Sequence, residues 1–333
     1  MKKILALLLA LWIPAAVLSG CAPQDASAAS NKLNIVTTIF PAYDWVREIL
    51  GDETDRAEIT TLLDSGVDLH SYQPTVDDIV KISECDLFLY VGGESDGWVE
   101  DALKNAPNKD RKVIRLLDVL GDSAKAEETV EGMQEEEHDH EEEEHGHEEE
   151  AEYDEHIWLS LKNAQVLVAA ISEALQESDP ARKDTYAANA AAYAEKLSAL
   201  DGEYRAAVDS GKYKTLLFGD RFPFRYLADD YGLDYYAAFP GCSAETEASF
   251  ETVSFLAGKM DALGLPCVLT IEGTQHKIAE TVVQNTAQKN QQILTMDSMQ
   301  AVTANDASSG VSYLSIMEKN LSVLKKALGQ EAE

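Results

Sequence analysis

The stretch DPARKDTYAANAAAYAEKLSALDGEYRAAVDS, residues 179–210, predicts a single long helix near the middle of the chain. Asp179 is a favourable helix N-cap residue, and Pro180 fits the first helical position. Large apolar side chains then recur at helical intervals, at Tyr186, Tyr193, Leu197, Leu200 and Tyr204. At 1.5 Å per residue, a helix of about thirty residues is roughly 45 Å long. Such a helix can run beside two lobes and join them stiffly.

Short apolar, β-branched runs alternate with helix-like segments on both sides of this helix. Four runs precede it, at residues 33–40, 58–63, 86–91 and 112–117, and four follow it, at residues 215–219, 234–239, 267–272 and 292–297. This alternation is typical of a mostly parallel sheet covered by helices. The sequence therefore predicts an α/β fold with two four-stranded, mostly parallel lobes joined by one long rigid helix. The expected bounds are 32–178 for the first lobe, 179–210 for the helix and 211–333 for the second lobe.

The N-terminus has the features of an export signal. Two lysines precede an apolar run over residues 4–17, which is short for a membrane span and ends at small residues. The LSGC ending at Cys21 resembles the bacterial lipobox, which implies acylation of Cys21 and tethering outside the cytoplasmic membrane. We expect a lipoprotein signal peptide over residues 1–20 and a lipidated tether over residues 21–31. The alternative is a conventional cleaved signal in which Cys21 is unmodified.

The formal net charge is −33, and about half of the excess lies in one segment. Residues 126–155 contain 17 acidic side chains and no Lys or Arg. Nucleic acids and anionic membrane surfaces require a basic patch, so cations are the expected ligands instead. Residues 122–153 show no hydrophobic period, which predicts a mobile acidic loop inserted in the first lobe.

Two short segments carry histidines in a distinctive setting. His70 lies in GVDLHSYQP, residues 66–74, and His156 lies in EHIWL, where the chain leaves the acidic segment. A histidine taken alone is more often a surface or core residue than a ligand. Together, the two segments resemble the Gly-x-x-x-His-x-Tyr-x-Pro and Pro-His-x-Trp-Leu motifs of the zinc and manganese solute-binding lipoproteins of bacterial ABC transporters. Glu155 stands where proline is common in that family. The resemblance covers nearly the whole mature chain, through Asn163, Asp179, Pro180, Tyr226, Tyr231, Gly232, Leu233, Ile271, Glu272 and Asp297.

The resemblance implies a metal site between the lobes, at the carboxyl ends of the strands. His70 and His156 match ligands from the first lobe, and Asp297 matches an aspartate ligand from the second lobe. The family's remaining ligand is a His or Glu at the end of the first strand of the second lobe. This chain has no histidine there.

The missing histidine leaves the fourth ligand open. Counting back from Tyr226 places Arg221 at the position, but arginine does not bind cations. Ending the strand naturally places Asp220 there, and we expect Asp220 to be the ligand, with Arg221 orienting its carboxylate without touching the metal. His276 is an alternative ligand, although its place on the first turn of a predicted helix favours an exposed role. Two imidazoles and two carboxylates suit tetrahedral Zn²⁺, and Mn²⁺ is the alternative because oxygen ligands favour harder ions.

The run EEEHDHEEEEHGHEEE, residues 135–150, adds four histidines to eleven acidic residues. A His/Glu-rich loop before the second histidine motif is typical of the zinc-handling branch of the family. A charge tract is usually only solvated, but solvation does not require histidine. We expect the loop to collect or sense Zn²⁺ at the mouth of the cleft, weakly because it must be ordered on binding, through His138, His140, His145 and His147. A passive tract is the alternative.

The resemblance implies an extracytoplasmic lipoprotein, at the cell surface or in the periplasm, that captures Zn²⁺ as a monomer. It would deliver the ion to the permease of an ABC importer and do no chemistry on it. A zinc-dependent hydrolase is an alternative, since three protein ligands and a water would suit one, but the chain has no His-Glu-x-x-His or Gly-x-Ser-x-Gly motif. A surface metal buffer or adhesin without a transporter is a third possibility.

The cysteines other than Cys21 are Cys85, Cys242 and Cys267, which permit at most one disulfide. Cys242 lies in a predicted loop and Cys267 starts a predicted strand. We expect these two to pair.

Overall fold

Within the residues that the structure describes, eight strands form at the apolar runs that the sequence identifies. The computed structural model describes residues 32–104, 106–134, 152–243, 247–273 and 276–330. The strands are β1 Leu33–Thr37, β2 Ala57–Thr61, β3 Leu87–Tyr90, β4 Lys112–Arg115, β5 Thr215–Phe222, β6 Asp234–Pro240, β7 Cys267–Thr270 and β8 Gln292–Thr295. The fold prediction of two four-stranded α/β lobes is confirmed.

The two sheets have the same winding. The strand order is β2-β1-β3-β4 in the first sheet and β6-β5-β7-β8 in the second, and every pairing is parallel. Consecutive apolar residues such as Phe88 and Leu89 are buried because helices cover both faces of the sheet. Since all strands of a sheet run the same way, their carboxyl ends lie at one edge, where open parallel sheets bind ligands.

Helices connect the strands and pack on the sheets. The α-helices are α1 Phe40–Leu50, α2 Val76–Glu84, α3 Val99–Lys104, α4 Leu116–Leu120, α5 Leu161–Ser178, α6 Lys183–Ser210, α7 Arg225–Tyr231, α8 Phe250–Leu263, α9 Lys277–Asn285, α10 Ala304–Ser308 and α11 Tyr313–Ala327. Across the described part of the chain, none of these helices is long and apolar enough to cross a membrane.

The long connecting helix is present as predicted. Pro180–Arg182 forms a 3₁₀ turn that leads into α6. All five of its predicted apolar residues are buried, and α6 packs against α1, α5 and α11. One continuous hydrophobic core therefore extends along α6 and includes residues of both sheets.

The start of this helix differs from the prediction in one detail. Asp179 occupies the N-cap position, but its side chain caps no backbone N–H. The carboxylate instead accepts hydrogen bonds from Arg182 Nη1 and Tyr186 Oη, both at 3.2 Å. A charged guanidinium and a phenol thus occupy the acceptor that would otherwise cap the helix.

The described ends of the predicted acidic loop contact each other and the second lobe. Residue Ala126 forms an antiparallel bridge with Tyr153, and the backbone N–H of Gln134 donates to the Ala238 carbonyl at 2.9 Å on β6. Lys259 on α8 pairs with Glu131 at 2.9 Å. Residues 122–134 and 152–153 thus contact other parts of the chain, and the mobility expected of residues 122–153 stays a prediction. His138, His140, His145 and His147 lie outside the described residues.

The expected disulfide is also wrong, because Cys242 and Cys267 are both free thiols. Phe218 of β5 is level with Ala237 of β6 and with Leu269 of β7. Cys267 thus lies near the amino end of the sheet, whereas Cys242 follows the carboxyl end of β6. At about 3.3 Å per residue the separation is on the order of 20 Å, far beyond the reach of a disulfide.

Candidate metal site

His70 and His156 face each other between the two sheets. His70 lies in the 3₁₀ turn Leu69–Ser71 after β2, and His156 immediately precedes the 3₁₀ turn Ile157–Leu159. Their Nε2 atoms are 3.2 Å apart, and the His156 side chain is fully buried. Two imidazoles on one tetrahedral zinc, with Zn–N bonds of about 2.0–2.1 Å, place their nitrogens about 3.3 Å apart. The observed spacing therefore suits a shared zinc ion.

The outer nitrogens of both rings are held by neighbouring groups. His156 Nδ1 is 2.9 Å from Asp154 Oδ1, and the same oxygen accepts the His156 backbone N–H at 2.9 Å. His70 Nδ1 is 2.9 Å from Ser95 Oγ and 3.4 Å from Glu155 Oε2. Bonds of this kind fix ring orientation in metal sites. Here they leave both Nε2 atoms directed inwards.

Glu155, the departure from the family motif, contributes to this support. Its Oε1 accepts the Ser95 backbone N–H at 2.8 Å, and its other oxygen is the one near His70. A Cβ added to Gly93 would lie 2.0 Å from Glu155 Oε1. Glycine at position 93 therefore makes room for the Glu155 carboxylate. Burial raises the pKa of this carboxyl group.

Two imidazoles at this distance are not both protonated to imidazolium cations. Burial and the charge of His156 lower the pKa of His70 to about 3. Burial alone would also lower the pKa of His156, but the hydrogen bond and negative charge of Asp154 outweigh it and raise that pKa. His156 therefore has the higher pKa of the two imidazoles, and its proton is the one that competes with a metal ion.

Cys242 is the third group at this point. In the described residues, one set of side chains has metal-ligating atoms that all lie within 4.8 Å of one another, and it consists of His70, His156 and Cys242. Cys242 follows β6, and its backbone N–H donates to Glu127 Oε1 at 2.8 Å. A Cβ on Gly241 would lie 2.9 Å from the Phe222 carbonyl oxygen and 3.2 Å from His156 Nδ1. Glycine at 241 thus lets this loop approach the imidazole.

Asp220 does not join this set. The sequence placed it at the end of the first strand of the second lobe, but β5 continues to Phe222, with a register shift between Phe218 and Arg221. The Asp220 carboxylate accepts the Arg221 N–H at 2.9 Å and the Ile271 N–H at 3.4 Å. It satisfies backbone donors where the ladder is irregular, and burial raises its pKa.

Asp297 and His276 also lie outside the set, in the part of the chain that the structure describes. Asp297 Oδ1 accepts the Met299 N–H at 2.8 Å, and burial and the charge of Glu272 raise the Asp297 pKa to about 6. Glu272 itself accepts the Ser298 N–H at 2.6 Å, so it organises the chain after β8. His276 immediately precedes α9.

Arg221 does not bond the Asp220 carboxylate through its guanidinium, so that predicted contact is wrong. The guanidinium instead pairs with Asp68 Oδ2 and donates to the Ser243 carbonyl at 3.2 Å. Asp68 Oδ1 accepts the His70 N–H at 3.0 Å. Burial would raise the pKa of Asp68, but the bond from Arg221 lowers it. Arg221 thus supports the His70 turn from the opposite lobe, because backbone donors already occupy Asp220.

Sequence reasoning missed Cys242, Asp154 and Ser95. A signal existed for Cys242, since it comes directly after the predicted strand at residues 234–239 and so at the ligand-binding edge of the sheet. The predicted disulfide instead paired this thiol with Cys267. Ser95 gave no comparable signal, because its role depends on a contact with a separate loop. Asp154 lies only two residues before His156, but the sequence does not show that its carboxylate turns back to the imidazole ring.

Comparison with known proteins identifies the family of the chain. The family model described as zinc-uptake complex component A, periplasmic (ZnuA), matches residues 35–327. The zinc-binding lipoprotein AdcA of Streptococcus pneumoniae serotype 4 is 33% identical over 331 residues, covering 99% of this chain and 62% of that protein. The chain thus spans about three fifths of the length of this relative. The high-affinity zinc uptake system protein ZnuA of Bacillus subtilis is 30% identical over 304 residues, covering 91% of this chain and 90% of that protein.

A solved structure shows the same fold. The zinc-bound ZnuA-like domain of Streptococcus pneumoniae AdcA aligns with a TM-score of 0.68 and 29% identity, covering 90% of this chain and all of that domain. With two matching lobes, a long joining helix and a family match over residues 35–327, the chain belongs to the family of the zinc-uptake complex component A proteins, ZnuA.

Proposed function

We propose that this chain is an extracytoplasmic solute-binding protein that captures Zn²⁺ between its lobes and delivers it to the permease of an ABC importer. Mn²⁺ is the alternative cargo. The observation that carries the proposal is the pair of imidazole Nε2 atoms 3.2 Å apart, with both outer nitrogens held by other side chains. A pair oriented in this way suits one cation as a shared ligand set. The family is one of transport components and not of enzymes, which argues against the zinc-dependent hydrolase.

In this proposal His70 and His156 are ligands from the first lobe. Asp220 and Asp297 stay predictions as ligands from the second lobe, and so does His276 as the alternative. The ion is cargo, so the protein must hold it reversibly. Because α6 packs along both lobes, we expect release to involve local movement of the loops at the site rather than wide opening of the lobes.

The proposal includes a lipid anchor at Cys21 and a monomeric chain outside the cytoplasmic membrane. The pneumococcal relative is named a lipoprotein, in agreement with the LSGC sequence here. The acidic run at residues 135–150 is proposed as an auxiliary zinc collector. Glu127 and Glu152 are described residues on either side of this run. The Glu127 backbone N–H donates to the Glu152 carbonyl at 2.8 Å, and the Glu127 carboxylate accepts the Cys242 N–H.

Zinc and manganese calorimetric titrations of the purified chain test the binding site. We expect one tight zinc site that is lost in His70→Ala and in His156→Ala and kept in His276→Ala. Loss of tight binding in His276→Ala would instead make His276 a ligand. Deletion of residues 135–150 should remove weaker sites only. Tight binding that survives both substitutions, or that disappears with the deletion, would overturn the cleft assignment.

Delivery requires a separate experiment in cells. A strain lacking this chain should accumulate less zinc when zinc is scarce, and the wild-type chain should restore uptake where His156→Ala does not. Unchanged uptake in the deletion strain would favour the metal buffer or adhesin reading instead.

A further inference from the structure

The sulfur of Cys242 stands where a third metal ligand is needed. Its Sγ and the ligating nitrogens of His70 and His156 all lie within 4.8 Å of one another. For a tetrahedral zinc with Zn–S of about 2.3 Å and Zn–N of about 2.0–2.1 Å, the expected sulfur-to-nitrogen separation is about 3.6 Å. A modest closing of the loop after β6 would therefore complete three vertices of a tetrahedron.

The local backbone holds Cys242 at this point. Gly241 lets the loop pack against His156, and Glu127 accepts the Cys242 N–H at 2.8 Å. The other two cysteines in the described residues are in different surroundings. Cys85 and Cys267 are buried, and the Cys85 thiol donates to the Ile82 carbonyl at the end of α2. Cys242 is the partly exposed thiol of these three.

The chain also supplies little competition for this vertex. Counting back from Tyr226, Arg221 stands where the family has a His or Glu, and its guanidinium pairs with Asp68. The neighbouring Asp220 accepts two backbone N–H groups of the second sheet. Neither residue joins the two imidazoles in the described structure, whereas Cys242 does.

We propose that the Cys242 thiolate is the third protein ligand of the captured metal, and that this sulfur makes the site selective for Zn²⁺ over Mn²⁺. The inference rests on the proposed function and names the ligand that sets its specificity. As the Zn–S bond forms, the thiol proton passes to solvent and no redox partner is needed. Thiolate suits zinc, whereas Mn²⁺ prefers oxygen ligands.

Cobalt binding provides a direct test. The chain is purified with Cys21→Ser, so that residue 21 contributes neither a lipid nor a thiol. Co²⁺ loading should produce a near-ultraviolet sulfur-to-cobalt charge-transfer absorption that Cys242→Ala abolishes and the matched control Cys267→Ala retains. Zinc should also protect one thiol from a disulfide reagent in the native chain, and this protection should be absent in Cys242→Ala.

Affinity measurements by chelator competition separate the two proposals. Cys242→Ala should weaken zinc binding by about 100-fold or more, because losing a residue that only supports a metal ligand already costs about 10- to 100-fold. Manganese affinity should be nearly unchanged. Cys242→His should recover zinc affinity without the charge-transfer absorption. Thermal unfolding in chelator, equal in all variants, serves as the folding check.

The failures are distinguishable. If the wild type binds zinc tightly through His70 and His156 but shows no charge-transfer absorption, the cysteine proposal is overturned and the capture function stands. If the wild type binds no zinc tightly, both proposals are overturned.

Discussion

Single residues determine which nitrogen of each imidazole is free for metal. Asp154 holds His156 Nδ1 at 2.9 Å, and Ser95 holds His70 Nδ1 at the same distance. The Ser95 bond joins two loops that are 25 residues apart in the sequence, whereas Asp154 is only two residues from His156. The two bonds convert two histidines that are individually unremarkable into one oriented pair.

Removing the charge of Asp154 should weaken zinc binding while leaving the fold intact. Asp154→Asn keeps an oxygen for the His156 backbone N–H but loses the carboxylate that makes the imidazole a stronger ligand. We expect zinc affinity to fall about 10- to 100-fold by chelator competition. Asp261→Asn is the matched control, because Asp261 also accepts a backbone N–H, from Ala287, at a helix end on α8. Equal zinc affinity in the two variants would contradict the orienting role of Asp154.

Asp44 is a buried carboxylate outside the metal site, and it should make stability depend on pH. It accepts the Tyr313 N–H at 2.8 Å, and burial raises its pKa from 3.8 to about 6. The folded state therefore binds the proton more tightly than the unfolded state. The resulting stabilisation is fully present below pH 3.8 and is lost as the pH rises through about 6.

The Asp44→Asn variant removes this titration. At 1.36 kcal/mol per pKa unit, its unfolding free energy relative to wild type should rise by up to about 3 kcal/mol between pH 4 and pH 7. Urea unfolding at both pH values, with chelator present, measures the difference. A difference that stays constant with pH would show that Asp44 does not titrate in this window.

At the scale of elements, α6 is the piece whose length and pattern the sequence describes best. Its buried tyrosines and leucines face α1, α5 and α11. Tyr204 adds a specific bond, because its hydroxyl donates to the Met317 carbonyl at 2.6 Å on α11. The helix is thus fixed to the core at points along its length rather than only at its ends.

Gly202 is a weak point within α6 that can be corrected. It is exposed, and a Cβ added there meets no atom within 4 Å. Gly202→Ala should therefore raise the unfolding free energy by about 1 kcal/mol, the difference in helix propensity. Gly232→Ala is the matched control, because it also has open space but a φ of +69° at the end of α7, where alanine costs about 1 kcal/mol. Urea denaturation in which both substitutions changed the unfolding free energy in the same direction would contradict this prediction.

At the scale of the whole molecule, the site ties together two halves that already share one core. Leu33–Glu333 forms one compact unit, and the Arg221 to Asp68 ion pair crosses between the lobes beside His70. Trp158, next to His156, donates from Nε1 to the Ser298 carbonyl at 2.8 Å in the second lobe. Binding at the site should therefore stabilise both lobes together.

Zinc should raise the temperature of a single unfolding transition. Free zinc at 100 times its Kd adds about 2.7 kcal/mol, which corresponds to about 4 °C for a chain that unfolds over roughly 300 residues with about 2.1 cal/mol/K of entropy per residue. Scanning calorimetry should show the whole transition moving, with no shift in His70→Ala and an undiminished shift after deletion of residues 135–150. Two transitions, of which zinc moves only one, would contradict the coupling of the lobes.

The sequence by itself determined the architecture of this protein, because that architecture rests on signals local to the chain. Short apolar, β-branched runs specify the strands, and the regular spacing from Tyr186 to Tyr204 specifies the long helix. The two histidines could be predicted because each lies in a short motif. The end of β5 could not, since its continuation to Phe222 depends on pairing with β6 across the sheet.

The tertiary structure alone decided how the second lobe meets those histidines. The continuation of β5 commits Asp220 to backbone donors, Arg221 pairs with Asp68 from the other lobe, and Cys242 lies beside His156. Each outcome depends on groups that are distant in the sequence and meet only in the folded chain. There, a charged or backbone donor forms a hydrogen bond to the nearest buried acceptor. No spacing in the sequence encodes that choice, because it is made only when the loops at the carboxyl ends of two sheets meet.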